Sequence, residues 1–157
     1  MIKVLFVCHG NICRSTMAQC MFQDMVNKRG MSDQFYIDSA ATSREEIGNG
    51  VHRGTRRKLA EVGIPLSEHR ARQVTKKDYE EYDLLIIMDE ENRWGLRRII
   101  PSDPENKIHM MLEYTGENRD VADPWYTGNF DVTYDDISRG CEALLRRLVP
   151  QSGRLQL

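Results

Sequence analysis

Ile2-Lys3-Val4-Leu5-Phe6-Val7 runs straight into Cys8-His9-Gly10-Asn11-Ile12-Cys13-Arg14-Ser15, and this junction decides the fold. Apart from Lys3 the first six residues are apolar and rich in β-branched and aromatic side chains. They read as a buried strand, central in a sheet. The next stretch is abruptly polar, with His9-Gly10-Asn11 as its turn. Beyond it Met17/Ala18, Met21/Phe22 and Met25/Val26 recur every four residues, the stripe of an amphipathic helix. Ser15 or Thr16 would open that helix and Gly30 would close it. Strand, loop and helix therefore follow one another without a linker.

The pattern repeats along the chain. Gln34 to Ser39 alternates around Phe35 and Ile37, as a second strand does. The loop Ile47-Gly48-Asn49-Gly50 leads to a helix from Gly54 to Val62, ended by Gly63 and Pro65. Leu84 to Met88 is continuously apolar, which suits a parallel strand covered on both faces. A charged helix from Glu90 to Arg98 follows, then a shorter strand from Ile108 to Leu112. Tyr134, Ile137, Cys141, Leu144, Leu145 and Leu148 form one face of a last helix, stopped before Pro150. Strands alternating with helices imply βαβ crossovers and a parallel sheet. The length of 157 residues fits one domain, expected over 1–150, with a frayed tail at 151–157.

Composition narrows the function. Twenty-two Lys and Arg against 24 Asp and Glu give a net charge of -2, and the pI is about 6.1. A nucleic-acid or anionic-membrane partner would call for a basic excess, so neither is expected. The mean hydropathy is -0.57, and no apolar run approaches the ~20 residues of a membrane-spanning helix. Leu5-Phe6-Val7-Cys8 faintly resembles a lipoprotein cleavage box, but nothing before it resembles a signal peptide. Four cysteines are too few for a disulfide scaffold, which points to a reducing compartment, the cytoplasm.

The loop from Cys8 to Ser15 is a chemical device. In an open parallel sheet, ligands bind beyond the carboxyl ends of the strands, where this loop must lie. A tight loop opening a helix points backbone N–H groups inward and adds the helix's positive end, which makes an anion cradle. Gly10 allows close approach, and Asn11 tolerates a left-handed backbone. Arg14 offers a bidentate fork to phosphate oxygens. The same donors favour thiolate over thiol at Cys8, and the Ser15 hydroxyl can hydrogen-bond the sulfur. A nucleophile thus sits beneath a bound phosphate, ready for in-line attack. A departing phenolate needs a proton. Asp123 in Asp123-Pro124-Trp125-Tyr126 is the candidate acid, with Pro124 stiffening the turn and two aromatics to shield it and to wall a cleft. The Walker pattern GxxxxGK[ST] is missing, which argues against nucleoside triphosphate hydrolysis.

Val7-Cys8-His9-Gly10-Asn11-Ile12-Cys13-Arg14-Ser15 with Asp123-Pro124 resembles the low-molecular-weight protein tyrosine phosphatase family. Asp38-Ser39-Ala40-Ala41-Thr42-Ser43, Ala71-Arg72-Gln73 and Met88-Asp89-Glu90 resemble it too, in the family's order and spacing from Ile2 to the last helix. The resemblance implies that Cys8 is the nucleophile forming a phosphocysteine and that Arg14 clamps the phosphate. Asp123 would act as acid and then as base, and Asn11 and Ser15 would organise the loop, with His69 supporting it from behind. It further implies no metal or other cofactor, a protective disulfide between Cys8 and Cys13 on oxidation, and inhibition by phosphate and other oxyanions. Substrates would be phosphotyrosine proteins or aryl phosphates. With the strand pattern, it implies an α/β fold: a small doubly wound, four-stranded parallel sheet with helices on both faces, flavodoxin-like.

The chain departs from the family in places. Thr16 stands where proline is common, and Arg44-Glu45-Glu46 stand where an aromatic often lines the cleft, so Glu45 makes one wall acidic. Trp125 replaces a common tyrosine, leaving Tyr126 as the tyrosine of that loop. Other readings stand beside the leading one. Cys8, His9, Cys13 and Cys20 lack the spacing of a zinc site. Arsenate reduction would need a cysteine relay, and after Cys20 the next cysteine is Cys141. Relatives that are protein-arginine phosphatases tend to carry threonine at the position of Ile12. A non-catalytic phosphate-binding or thiol-sensing module is the reading from another class. Cys13 either packs or guards Cys8, and Cys20 and Cys141 read as core. Arg53, Arg56, Arg57 and Lys58 read as a solvated helix face, and His52 and His109 as structural or exposed.

Overall fold

A computed structural model describes residues 1–150 of the chain, so the expected tail at 151–157 lies outside the described residues. The order is β1 (Ile2–Cys8), α1 (Arg14–Lys28), β2 (Phe35–Ala41), α2 (Arg53–Glu61), α3 (Lys76–Glu81), β3 (Leu84–Ile87), α4 (Glu90–Arg97), β4 (Ile108–Met110), α5 (Pro124–Thr127) and α6 (Phe130–Leu148). The four strands form one parallel sheet in the order β2-β1-β3-β4. β1 pairs along its whole length with β2, from Ile2 opposite Phe35 to Cys8 opposite Ala41.

Side chains of successive strand residues point to opposite faces. Ile2, Val4, Phe6 and Cys8 join Met17, Met21 and Phe22 of α1 and Ile137, Leu144 and Leu148 of α6 in one core. Leu5 and Val7 join Leu85, Ile87, Tyr79 of α3 and Leu96 of α4 in the other. Helices therefore cover both faces. That is why β1 and β3 carry no polar alternation.

The chain goes from β1 to one neighbour, β2, and later to the other, β3. The sequence order thus reverses between β1 and β3, and their carboxyl ends open into a crevice at that switch point. The loop 9–13 and the residues after Ile87 both emerge there.

Several boundaries differ from the sequence reading. α1 begins at Arg14, so Ser15 and Thr16 lie within it and do not open it. Ser15 has a partner elsewhere, and the Thr16 hydroxyl donates to the Cys13 carbonyl. β2 begins one residue later than Gln34 and runs on to Ala41. β4 stops at Met110, and Met111–Thr115 form a 3₁₀ turn whose Met111 and Leu112 are buried. Two short helices carry no apolar stripe long enough to read. One is α3, opened by a capping box between Thr75 and Asp78. The other is α5, capped by Asp123 with Pro124 at its first turn. Among the described residues no helix is long and apolar enough to cross a membrane.

Gly140 on α6 marks a close approach of that helix to the backbone of the turn after β4. A Cβ there would stand 2.9 Å from the Met111 carbonyl oxygen as well as from its side chain. Alanine would gain about 1 kcal/mol of helix propensity over glycine. The backbone clash outweighs it, because overpacking a close contact costs about 1–3 kcal/mol. Gly140→Ala is expected to lower the urea midpoint despite its better helix propensity, and equilibrium denaturation of the two proteins measures it.

Candidate active site

The loop between β1 and α1 wraps around the Cys8 sulfur. Asn11 makes this possible with a left-handed backbone at φ 60°, which turns its own N–H toward Cys8 Sγ at 3.3 Å. Ser15 Oγ lies 3.0 Å from the same sulfur. That hydroxyl accepts a hydrogen bond from Asn11 Nδ2 at 2.8 Å, which leaves its own proton free to point at Sγ. Asn11 Nδ2 also donates to Ser39 Oγ on β2, at 2.9 Å. Its Oδ1 accepts from the Arg72 backbone N–H at 3.2 Å and from His69 Nε2 at 2.7 Å. Every polar atom of a fully buried amide is thereby used.

Burial is the largest influence on His69 and lowers its pKa, as does the neighbouring Arg72, while Asp38, 3.5 Å from Nδ1, pulls the other way. The ring donates its Nε2 proton to Asn11 Oδ1, which can only accept, and so stands behind the loop.

Arg14, the first residue of α1, is buried. Its Nη1 donates to Asp89 Oδ2 at 2.7 Å and to the Val121 carbonyl at 2.8 Å, and its Nη2 faces Asp123 Oδ2 at 3.4 Å. Burial works against the guanidinium charge. Cys8, Asp89 and Asp123 together outweigh it, so the pKa is raised above the usual arginine value.

Asp123 sits in the cleft with its other oxygen, Oδ1, accepting from the Trp125 N–H at 3.0 Å. Its surroundings differ from the expected aromatic shield. Trp125 is 57% exposed and Tyr126 is 83% exposed, and both stand as rim, while the carboxylate itself is held by Arg14 and by the cap of α5. Cys8, His9, Gly10, Ile12, Cys13, Arg14, Glu45, Asp123, Trp125 and Tyr126 all line one cleft, joined by Glu46. Across its mouth His9 Nε2 meets Glu45 Oε2 at 3.0 Å. Asn11, Ser15 and His69 lie beneath that lining. Burial pushes the Cys13 thiol up to about 12, and burial also raises Cys20 and Cys141. Among the described residues no three His, Cys, Asp or Glu side chains are grouped as a metal site.

The model of the family described as low molecular weight phosphotyrosine protein phosphatase matches residues 3–153. The chain belongs to that family. It is 42% identical over 147 residues to the low molecular weight protein-tyrosine-phosphatase YfkJ of Bacillus subtilis, covering 92% of this chain and 94% of that one. The human low molecular weight phosphotyrosine protein phosphatase is 37% identical over 150 residues, with 92% and 94% covered. The crystal structure of YfkJ superposes with a TM-score of 0.88 over 92% of each chain. That of the low molecular weight protein tyrosine phosphatase SP-PTP of Streptococcus pyogenes superposes with a TM-score of 0.86 at 37% identity, over 97% of this chain and 96% of that one. As a member of the low molecular weight phosphotyrosine protein phosphatase family, the chain is a phosphatase, a hydrolase with an α/β fold.

In this low molecular weight phosphatase Asp89 joins the site although its residue type alone marks no role there, and His52, expected to be structural or exposed, takes a structural place beside it. Asp89 caps α4 through Oδ1 and holds Arg14 through Oδ2. The legible signal was an Asp after an apolar strand, three residues before Asn92, which is a capping box. His52 caps α2, its Nδ1 accepting from the Gly54 N–H at 3.0 Å, stacks on Phe130, and meets the edge of Trp125 at 5.7 Å. Nothing in the linear sequence joins residues so far apart.

His69 makes stability depend on pH. Its folded pKa is lowered, so the unfolded chain binds more protons below the ordinary histidine value of about 6.5. Its contribution is fully present above that pH and is lost as pH falls through the folded value. Thermal melting from pH 8 down to 5 is expected to show a falling midpoint, with a shallower slope in His69→Gln.

Proposed function

We propose that the chain hydrolyses phosphotyrosine in proteins, and other aryl phosphates, by a metal-independent cysteine mechanism housed in residues 1–150. The observation that carries this reading is the convergence of the Asn11 N–H and Ser15 hydroxyl on Cys8 Sγ, in one cleft with Arg14 and Asp123. Cys8 attacks phosphorus as the thiolate, and the S–P bond forms as the P–O bond to the aryl group breaks. Asp123 delivers its proton to the departing phenolate oxygen. A water then attacks the phosphocysteine, giving up a proton to Asp123, and the S–P bond breaks to return the thiolate and release phosphate. Arg14 and the loop amides carry the negative charge on the equatorial oxygens, the task a metal has elsewhere. Phosphate and other oxyanions compete for the same cradle.

Ile12 supports an aryl substrate over phosphoarginine. It lines the cleft and packs with Ala71 and Phe130, giving an apolar surface to a ring. Arsenate reduction lacks support, since Cys20 and Cys141 are buried in the core. Oxidation by peroxide converts Cys8 and Cys13 to a disulfide, the two thiols losing two electrons and two protons as peroxide becomes water. A reducing compartment, the cytoplasm, keeps the enzyme active.

Cys8→Ser is expected to lower aryl phosphate turnover by at least about a thousandfold while phosphate binding changes little, since an alcohol is a far weaker nucleophile in this setting. Single-turnover kinetics and phosphate titration measure the two. Undiminished turnover would overturn the mechanism. Asp123→Ala is expected to slow esters of poor leaving groups by about 10²- to 10³-fold and those of good ones much less. A series of substituted phenyl phosphates tests this, and equal losses across the series would remove Asp123 as the acid.

A further inference from the structure

Beside the cleft a second groove runs between α2 and the turn joining α5 to α6. It has a volume of about 710 Å³. The two share a wall. Trp125 lines the cleft and touches His52, and His52 and Phe130, stacked 5.6 Å apart, line the groove. Gly54 permits that stack, because a Cβ there would stand 2.2 Å from the Phe130 ring. The groove is therefore a built continuation of the rim that an extended chain leaving the cleft would meet.

Its charge is uneven. Lys58 is committed to Asp131 at 2.8 Å and to Glu61 at 3.6 Å, and Arg56, on the neighbouring face, to Glu68 at 3.1 Å. Arg53 and Arg57, one helical turn apart and both exposed, have no ion-pair or hydrogen-bond partner for their side chains among the described residues. In a chain of net charge -2 these two guanidiniums make a local cationic patch, while elsewhere on the cleft lining Glu45 and Glu46 are acidic. The solvated helix face read from sequence is thus two residues engaged in structural pairs and two left open.

We propose that this groove is a substrate subsite in which Arg53 and Arg57 bind an Asp or Glu side chain flanking the phosphotyrosine of a protein substrate. It rests on the proposed phosphotyrosine activity and adds a selection rule. Acidic residues are drawn to the α2 side of the mouth and repelled by Glu45 and Glu46. An exposed guanidinium–carboxylate pair contributes modestly and is screened by salt, so the subsite tunes selection and leaves the chemistry alone.

The test compares wild type with the double variant Arg53→Glu/Arg57→Glu on phenyl phosphate and on phosphotyrosyl peptides. An acidic residue is walked along each side of the phosphotyrosine, against neutral and basic controls. In wild type, kcat/KM is expected to be higher for acidic residues at positions on one side only, and the advantage should shrink in high salt. In the variant, kcat/KM for those peptides should fall about five- to tenfold, chiefly through KM, with neutral peptides and phenyl phosphate unchanged. Wild-type turnover of phenyl phosphate with no dependence on flanking charge would overturn the subsite alone. So would an equal loss on acidic and neutral peptides. No turnover of phenyl phosphate or any peptide by wild type would overturn the proposed activity and the subsite together.

Discussion

The amide of Asn11 donates to Ser15 and Ser39 and accepts from His69 and the Arg72 N–H, while its backbone holds a left-handed turn. Through these bonds the loop after β1 is tied to α1, to β2 and to the segment that follows α2. Each partner lost would leave a buried polar group unsatisfied, at a cost of about 1–3 kcal/mol. The sulfur's position is therefore a property of the packed sheet as much as of the loop. Arg72 extends the tie outward, bridging Asp38 on β2 and Asp78 on α3 while its own N–H serves Asn11.

Electrostatics at the same point is a balance between burial and pairing. A buried guanidinium is costly unless its donors are used, and Arg14 has Asp89, Asp123 and a carbonyl to use them. Asp89 also caps α4, so one carboxylate links the helix beyond β3 to the helix beyond β1. The switch point of the sheet is what brings them within reach. The arrangement holds a buried positive charge in the same cleft as the Cys8 sulfur.

The fold was largely legible. Alternate faces of β1 and the four-residue stripes of α1 and α6 are long and strongly apolar, and periodicity reads such segments well. Short elements escaped it. α3 and α5 are held by side-chain caps at Thr75 and Asp123, where one hydrogen bond decides the element and no stripe exists to show it. The start of α1 at Arg14 has a related cause. Ser15 is a good capping residue by type, but its hydroxyl is engaged by Asn11 and the sulfur.

For the site the division follows sequence distance. Cys8, Asn11, Arg14 and Ser15 lie within one loop and one turn of helix, so local spacing alone was enough to group them around one sulfur. The aspartate before Pro124 and the pair Glu45-Glu46 were legible as residue types in a pattern. The partners that give these residues their environment come from distant segments: Asp89 on Arg14, His69 behind Asn11, His52 against Trp125. Those contacts depend on which strand carries which end to the switch point and on helix packing. The order of residues determined the loop that wraps the Cys8 sulfur, because backbone geometry over a short loop is a local matter. Tertiary structure decided what surrounds it, because burial and pairing exist only once the sheet has brought separate segments together.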